Sequence, residues 1–139
     1  MYPFNPKPYE EEAYQQFIQN FGRQPVGGEL NAYTHAYVSA KLTKNTNEWT
    51  ARQAGDFNES FGRNHSYERA KDQYNNAVGR KIGRQPNATN ESNGKNVADT
   101  LRNGGLRLKA DSPVELEYNA NGEAGHWVTI DGNHIFIKN

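Results

Sequence analysis

The chain has 139 residues, which is room for one domain of ordinary size. Sixteen Lys and Arg balance sixteen Asp and Glu, so a strongly basic surface of the kind that binds DNA non-specifically is excluded. Only 34% of the residues are hydrophobic and Cys is absent, so the core must be small, and disulfide bridges and thiolate zinc sites are excluded. We expect neither a membrane span nor a signal peptide, because no long apolar run is present.

Helical periodicity follows a proline-rich, extended lead-in over residues 1–8. Apolar spacing of three and four residues, with Gly or Asn at the ends, predicts five helices over residues 9–21, 29–42, 47–61, 66 to about 82, and 95–103. The segment 84–94 contains a proline and several Asn, and its composition predicts a polar loop. The sequence therefore predicts a helical body over residues 9–108.

The pattern changes to strict alternation in the last thirty residues. Residues 114–118 alternate as a half-buried strand does, and the runs 126–130 and 133–137 flank Asp131-Gly132, a pair favoured in type I′ hairpins. This hairpin places His126 opposite Ile137 and His134 opposite Thr129, so the two His do not form a cross-strand pair. We predict one domain, residues 1–139, of the α+β class: mainly helical, with a β element over 109–139 and a hairpin over 126–138.

Two helical faces carry the first set of candidate residues. On the second helix one polar face holds Asn31, His35 and Ser39. On the fourth helix one face holds Asp72, Asn75, Asn76 and Gly79. Since Asn and Gly are poor helix formers, something other than helix stability could justify them, and one candidate is a site in which Asp72 orients or charges His35 while the amides hold a substrate. The structural alternative is that the two Asn bond to neighbouring loops and Gly79 permits close helix packing.

Two further groups of charged residues are candidates. Asp56 and Glu59, three positions apart on the third helix, could serve as acid and base or bind a divalent metal, although such a pair is often a solvated surface feature. The cations Arg63, Arg80 and Arg84 could attract phosphate, or they could complement the dipole of a helix end. The residues do not identify a cofactor, and a divalent metal stays open.

Three segments together resemble a known but uncharacterised family. They are Asn-Ala-x-x-His-Ala-Tyr at 31–37, Asp56 with Glu59, and Asp-x-x-Asn-Asn-x-x-Gly-Arg at 72–80. The chain is similar over residues 29–108 to a bacterial domain found at the C-terminal ends of polymorphic toxins, often of the Rhs type, and in phage-related proteins. It departs from the family pattern at Val38, where a Trp is usual, and at Asn58 and Tyr74, where His is usual. A metal site that relied on those His residues would lack ligands.

The resemblance implies a secreted antibacterial toxin domain that is delivered as part of a larger protein and paired with an immunity protein. We further expect the domain to be a hydrolase. In this hypothesis His35 is the general base or a metal ligand, Asp72 is its partner, and Glu59 is a second acid or ligand. Substrate-binding roles go to four residues: Asn31, Asn75, Asn76 and Arg80. Zero net charge favours an envelope or small-molecule substrate over nucleic acid. The alternatives are a non-enzymatic adaptor and a metal-dependent nuclease.

Overall fold

The structure, a computed structural model, describes residues 7–47, 50–52, 66–109, 117–130 and 133–138. In these residues four complete helices precede three strands: α1 (Lys7–Phe21), α2 (Glu29–Asn45), α3 (Ser66–Gly83), α4 (Asn90–Arg102), β1 (Glu117–Tyr118), β2 (Ala124–Ile130) and β3 (Asn133–Lys138). The predicted α+β class, mainly helical with a C-terminal antiparallel element, is confirmed. None of the described helices has the length and apolar character needed to cross a membrane.

The ends of the first two helices follow local chemistry. α1 begins at Lys7, two residues earlier than predicted, because Pro8 fits the first turn of a helix, where its missing N–H is not needed. It ends at Phe21 and is followed by Gly22, whose φ of +67° is accessible to glycine at little cost. α2 continues to Asn45, beyond the predicted end at residue 42, and the Thr46 N–H closes it on the Leu42 carbonyl at 2.9 Å.

The predicted polar loop over residues 84–94 is wrong in its second half, because α4 begins at Asn90 rather than at residue 95. A capping box explains the earlier start. Thr89 Oγ1 accepts from the Ser92 N–H at 3.0 Å, and Ser92 Oγ accepts from the Thr89 N–H at 2.8 Å. These two bonds pair N–H groups that would otherwise lack partners at the helix start. Asn90, Asn93 and Gly94 therefore lie in a helix and not in a loop.

The predicted third helix falls mostly outside the described residues. Residues 50–52 are helical, and Asn47 caps them, as predicted, because its Oδ1 accepts from the Thr50 N–H at 2.7 Å. Residues 53–61, including the candidates Asp56 and Glu59, lie outside the described part of the chain.

The main core lies where α1 and α4 pack on one side of α2. Phe17 meets Tyr33 edge-on at 5.4 Å between ring centroids, and both side chains are fully buried, together with Tyr37. Burial raises the pKa of Tyr33 and Tyr37 above the ordinary range, so both phenols stay neutral. The Tyr33 hydroxyl donates to the Gly94 carbonyl at 2.8 Å, which joins α2 to α4.

α2 and α3 run parallel and approach each other unusually closely. A Cβ added at Gly79 would lie 2.0 Å from the Ala36 carbonyl oxygen, and one added at Gly83 would lie 2.3 Å from that of Ala40. Only residues without a side chain fit there, so Gly79 does permit close helix packing. This contact brings the polar face of α2 against that of α3.

The three strands form an antiparallel sheet in the order β1-β2-β3, and β2 and β3 both contact α3. The predicted hairpin register is confirmed: Ile130 pairs with Asn133, Thr129 with His134, and His126 with Ile137. Of the predicted strand over 114–118, residues 117–118 form β1, and residues 114–116 lie outside the described residues. On the outer face Trp127 stacks on His134 at 5.0 Å and contacts Phe136 at 5.1 Å.

Candidate functional site

The seam between α2 and α3 brings together three of the predicted site residues. His35 Nδ1 lies 2.9 Å from Asn76 Oδ1, and His35 Nε2 lies 3.5 Å from Asp72 Oδ1. Asp72 and Asn76 are one turn apart on α3, so both face the same ring on α2. The imidazole thus lies between an amide oxygen and a carboxylate.

These distances decide how each ring nitrogen can act. The amide oxygen of Asn76 can only accept a hydrogen bond, so Nδ1 donates its proton to it. In the neutral ring this leaves a lone pair on Nε2, and 3.5 Å is too long for a good hydrogen bond between Nε2 and Asp72. The His35 side chain is 23% exposed, so solvent reaches the ring, whereas the Asp72 side chain is only 5% exposed.

Lys71 extends this group toward Asn31. Its Nζ lies 3.4 Å from Asp72 Oδ1, the same oxygen that faces His35. It also donates to Asn31 Oδ1 at 2.7 Å, across from α3 to α2. Asn31 therefore contacts the site through Lys71, at its exposed edge. We call Asn31, His35, Lys71, Asp72 and Asn76 the His35 cluster.

Asn75 lies outside the His35 cluster. Its Nδ2 donates to the Arg107 carbonyl and its Oδ1 accepts from the Arg107 N–H, both at 2.9 Å, and the residue has no exposed surface. Its amide is therefore occupied by the main chain that follows α4 and has no surface to offer a substrate. The contacts of Asn75 therefore agree with the structural alternative, in which its side chain bonds to a neighbouring loop and not to a substrate.

The remaining candidates are placed as follows. Arg80 lies on α3 one turn after Asn76 and is 3% exposed, so its guanidinium does not form part of a surface that a nucleic acid could touch. Arg84 is exposed just beyond the end of α3. Glu59 and Arg63 lie outside the described residues. His134 is exposed on β3, on the far side of the hairpin from α3.

Among the described residues, no group of three or more His, Asp or Glu side chains gathers closely enough to hold a metal ion. His35 and Asp72 alone offer one nitrogen and one carboxylate, whereas protein sites for such ions commonly use three or more protein ligands. The chemistry that the His35 cluster can support with its own groups is proton transfer at Nε2.

Residues 5–104 match a family described as a domain of unknown function, DUF6973. The chain belongs to this family. The DUF6973 region contains all four described helices and the whole His35 cluster, and it ends before the strands. No curated protein and no solved structure gives a significant match to the chain.

Sequence reasoning overlooked Lys71 in this DUF6973 domain. It directly precedes Asp72, and neighbouring residues on a helix point about 100° apart, so the spacing rules that grouped Asp72 with Asn76 exclude it. Its long side chain reaches back to the seam, and only the position of Asn31 on the neighbouring helix shows this. No local signal in the sequence marks it.

Proposed function

We propose that this domain is a hydrolase in which His35 acts as general base on a water molecule. The observation that carries the proposal is the surroundings of the imidazole: an amide oxygen fixes Nδ1–H, a carboxylate lies 3.5 Å from Nε2, and the ring is partly open to solvent. A general base needs an oriented ring and a path to the substrate. The fixed Nδ1–H and the partial exposure of the His35 side chain support both requirements.

In the proposed reaction, Nε2 takes a proton from water as the water oxygen adds to an electrophilic carbon or phosphorus atom of the substrate. The imidazolium that forms is stabilised by the Asp72 carboxylate, which lies on the same side of the ring. The proton then passes from Nε2 to the leaving group as its bond breaks. Asn76 accepts from Nδ1–H and so holds the orientation of the ring in both its neutral and its protonated form, a role different from the substrate contact that we first assigned to it.

The biological setting that we propose is an antibacterial effector, secreted or delivered into a target cell as part of a larger protein and neutralised by an immunity protein. Resemblance to C-terminal toxin domains supports this setting. The balanced charge of the chain and the burial of Arg80 favour an envelope or small-molecule substrate over nucleic acid. Glu59 stays in the proposal as a second acid or as a ligand of a divalent metal.

The test is growth of bacteria that express the domain in the cytoplasm or, with an added export signal, in the periplasm. We expect His35→Ala and Asp72→Asn to abolish growth inhibition, because loss of a general base lowers a rate by about 10²–10⁴-fold. Lys95→Ala is the control, since it removes an exposed side chain of α4 that pairs with Asp99 and belongs to neither candidate site. Circular dichroism shows whether each variant is folded. Folded His35→Ala and Asp72→Asn proteins that both inhibit growth as strongly as the wild type would refute the proposal.

A second candidate function is a non-enzymatic binding module, which the outer face of the sheet favours. Trp127 is 38% exposed there and is flanked by His134 and Phe136, and aromatic side chains are enriched at protein interfaces. In that case growth inhibition or partner binding would depend on Trp127 and not on His35. The same assay with Trp127→Ala separates the two functions.

A further inference from the structure

Three Asn-Gly pairs occur in the chain, at positions 93–94, 103–104 and 121–122. Such a pair is chemically distinctive, because a glycine has no side chain to hinder attack by its main-chain nitrogen on the side chain of the preceding asparagine. The structure places the three pairs in different surroundings. The first is buried within α4, the second closes the end of α4, and the third is exposed in the turn between β1 and β2.

The turn that contains the third pair is held by short-range hydrogen bonds. Asn119 Oδ1 accepts from the main-chain N–H groups of Asn121 and Glu123, both at 3.0 Å, and the Asn119 carbonyl accepts from the Gly122 N–H at 3.0 Å. Bonds between near neighbours at an exposed turn open more easily than bonds in the core. The Gly122 nitrogen can therefore leave its acceptor while the helices stay folded.

We propose that Asn121 is a site of spontaneous deamidation in the folded protein. The Gly122 main-chain nitrogen attacks Asn121 Cγ and closes a five-membered succinimide ring, and the side-chain nitrogen leaves as ammonia with the proton that the Gly122 nitrogen gives up. Solvent water then adds to one of the two ring carbonyls and opens the ring. The product at position 121 is aspartate or isoaspartate, and the chain gains one negative charge. The reaction needs no residue of the His35 cluster.

The new carboxylate forms beside Glu123. The Glu123 carboxylate accepts from Asn119 Nδ2 at 2.9 Å and from Lys138 Nζ at 3.1 Å, which connects the turn to the end of β3. These two bonds, with a smaller contribution from Asn121, hold the pKa of Glu123 below its usual value of 4.5. A negative charge at position 121 repels Glu123, and isoaspartate also lengthens the main chain of the turn by a methylene group. Deamidation therefore weakens the connection between the turn and β3.

The test compares two of the pairs within one sample. The full chain is incubated in mildly alkaline buffer, once folded and once unfolded in urea, and its peptides are then analysed by mass spectrometry. The rate in urea is the reference for each pair. In the folded protein we expect Asn121 to stay within about tenfold of its reference and Asn93 to be slowed at least about a hundredfold, because Asn93 becomes accessible only when α4 opens. An Asn121 that is slowed as strongly as Asn93 would overturn the proposal.

Asn119 is the matched control in the same turn, because it is followed by Ala120, whose side chain hinders the attack. Asn121→Gln should abolish conversion of the peptide that contains both positions, since a glutamine would have to close a less favourable six-membered ring. Conversion that continues in Asn121→Gln would place the reaction at Asn119 and overturn the assignment to Asn121.

The effect on the sheet is measured on the converted protein itself, which ion-exchange chromatography separates from the original by its extra negative charge. We expect the converted protein to melt at a lower temperature than the original. Asn121→Asp, which adds the charge without lengthening the main chain, should melt between the two. Equal melting temperatures of the converted and the original protein would overturn the predicted effect on the connection to β3.

Discussion

Two adjacent and identical side chains on α3 perform different tasks. Asn76 faces α2 and accepts from the His35 ring, whereas Asn75, about 100° further round the helix, bonds to the Arg107 main chain at both of its polar atoms. The guanidinium of Arg107 also lies over the Tyr74 ring at 4.3 Å. Asn75 therefore attaches the segment that follows α4 to the middle of α3.

At the scale of this residue we predict that Asn75→Ala destabilises the fold by about 2 kcal/mol, because each lost hydrogen bond contributes about 1 kcal/mol. Urea denaturation followed by circular dichroism measures the free energy of unfolding. Asn96→Ala, on the exposed side of α4, is the control and should stay within about 0.5 kcal/mol of the wild type. Equal stability of the two variants would show that the Arg107 contact contributes nothing.

At the scale of the elements, the contact between α2 and α3 is what forms the His35 cluster. The missing side chains at Gly79 and Gly83 let the two backbones approach within van der Waals distance. His35 and Asn76 are next to this contact along their helices. Their short hydrogen bond therefore depends on a helix pair that a larger residue would push apart.

We predict that Gly79→Ala destabilises the protein by about 1–3 kcal/mol, the usual cost of overpacking. The direction of the change in stability is informative, because a Gly→Ala substitution inside a helix without close neighbours stabilises the helix by about 1 kcal/mol. Thermal denaturation measures the change, and Lys81→Ala, at an exposed position of α3, serves as control. A Gly79→Ala protein that melts at a higher temperature than the wild type would contradict the close approach of the two helices.

At the scale of the whole molecule, Glu12 connects α1 to the central helix α2. Its carboxylate accepts hydrogen bonds from the Tyr37 hydroxyl and from the Lys41 ammonium group, and that ammonium group lies over the Tyr9 ring at 5.1 Å. Burial raises the pKa of Glu12, but the bonds from Lys41 and Tyr37 outweigh it, so the pKa lies below its usual value of 4.5. Folding is therefore linked to ionisation of this group.

The direction of the pH dependence follows from that lowered pKa. The contribution of Glu12 to stability is fully present above about pH 4.5, its pKa in the unfolded chain, and is lost as the pH falls through the lower pKa of the folded state. We expect Glu12→Gln to lower the urea midpoint at pH 7 and to match the wild type near pH 3. Glu11→Gln, exposed on the same helix, is the control. A difference between wild type and Glu12→Gln that persists unchanged at acid pH would contradict this linkage.

Much of the fold could be predicted because its signals are local. The hairpin register was predicted from the Asp131-Gly132 dipeptide in the sequence and from strict alternation, and it agrees with the observed pairing of Ile130 with Asn133. Apolar spacing of three and four residues also predicted α2, whose Tyr33 and Tyr37 are fully buried in the core. The start of α4 was missed because a Thr89–Ser92 capping box outweighs the poor helix propensity of the residues that follow it.

The sequence by itself determined which residue types lie on each helical face, because a period of 3.6 residues fixes that within one helix. It therefore grouped His35 with Asn31, and Asp72 with Asn76. Only the tertiary structure decided how those faces meet: that Asn76 contacts the ring while Asn75 is turned to Arg107, and that Lys71 reaches Asn31. The reason is that contacts between two helices depend on the separation and relative direction of the helices. Here both follow from the close contacts of Gly79 with Ala36 and of Gly83 with Ala40, each of which joins residues some forty positions apart in the sequence.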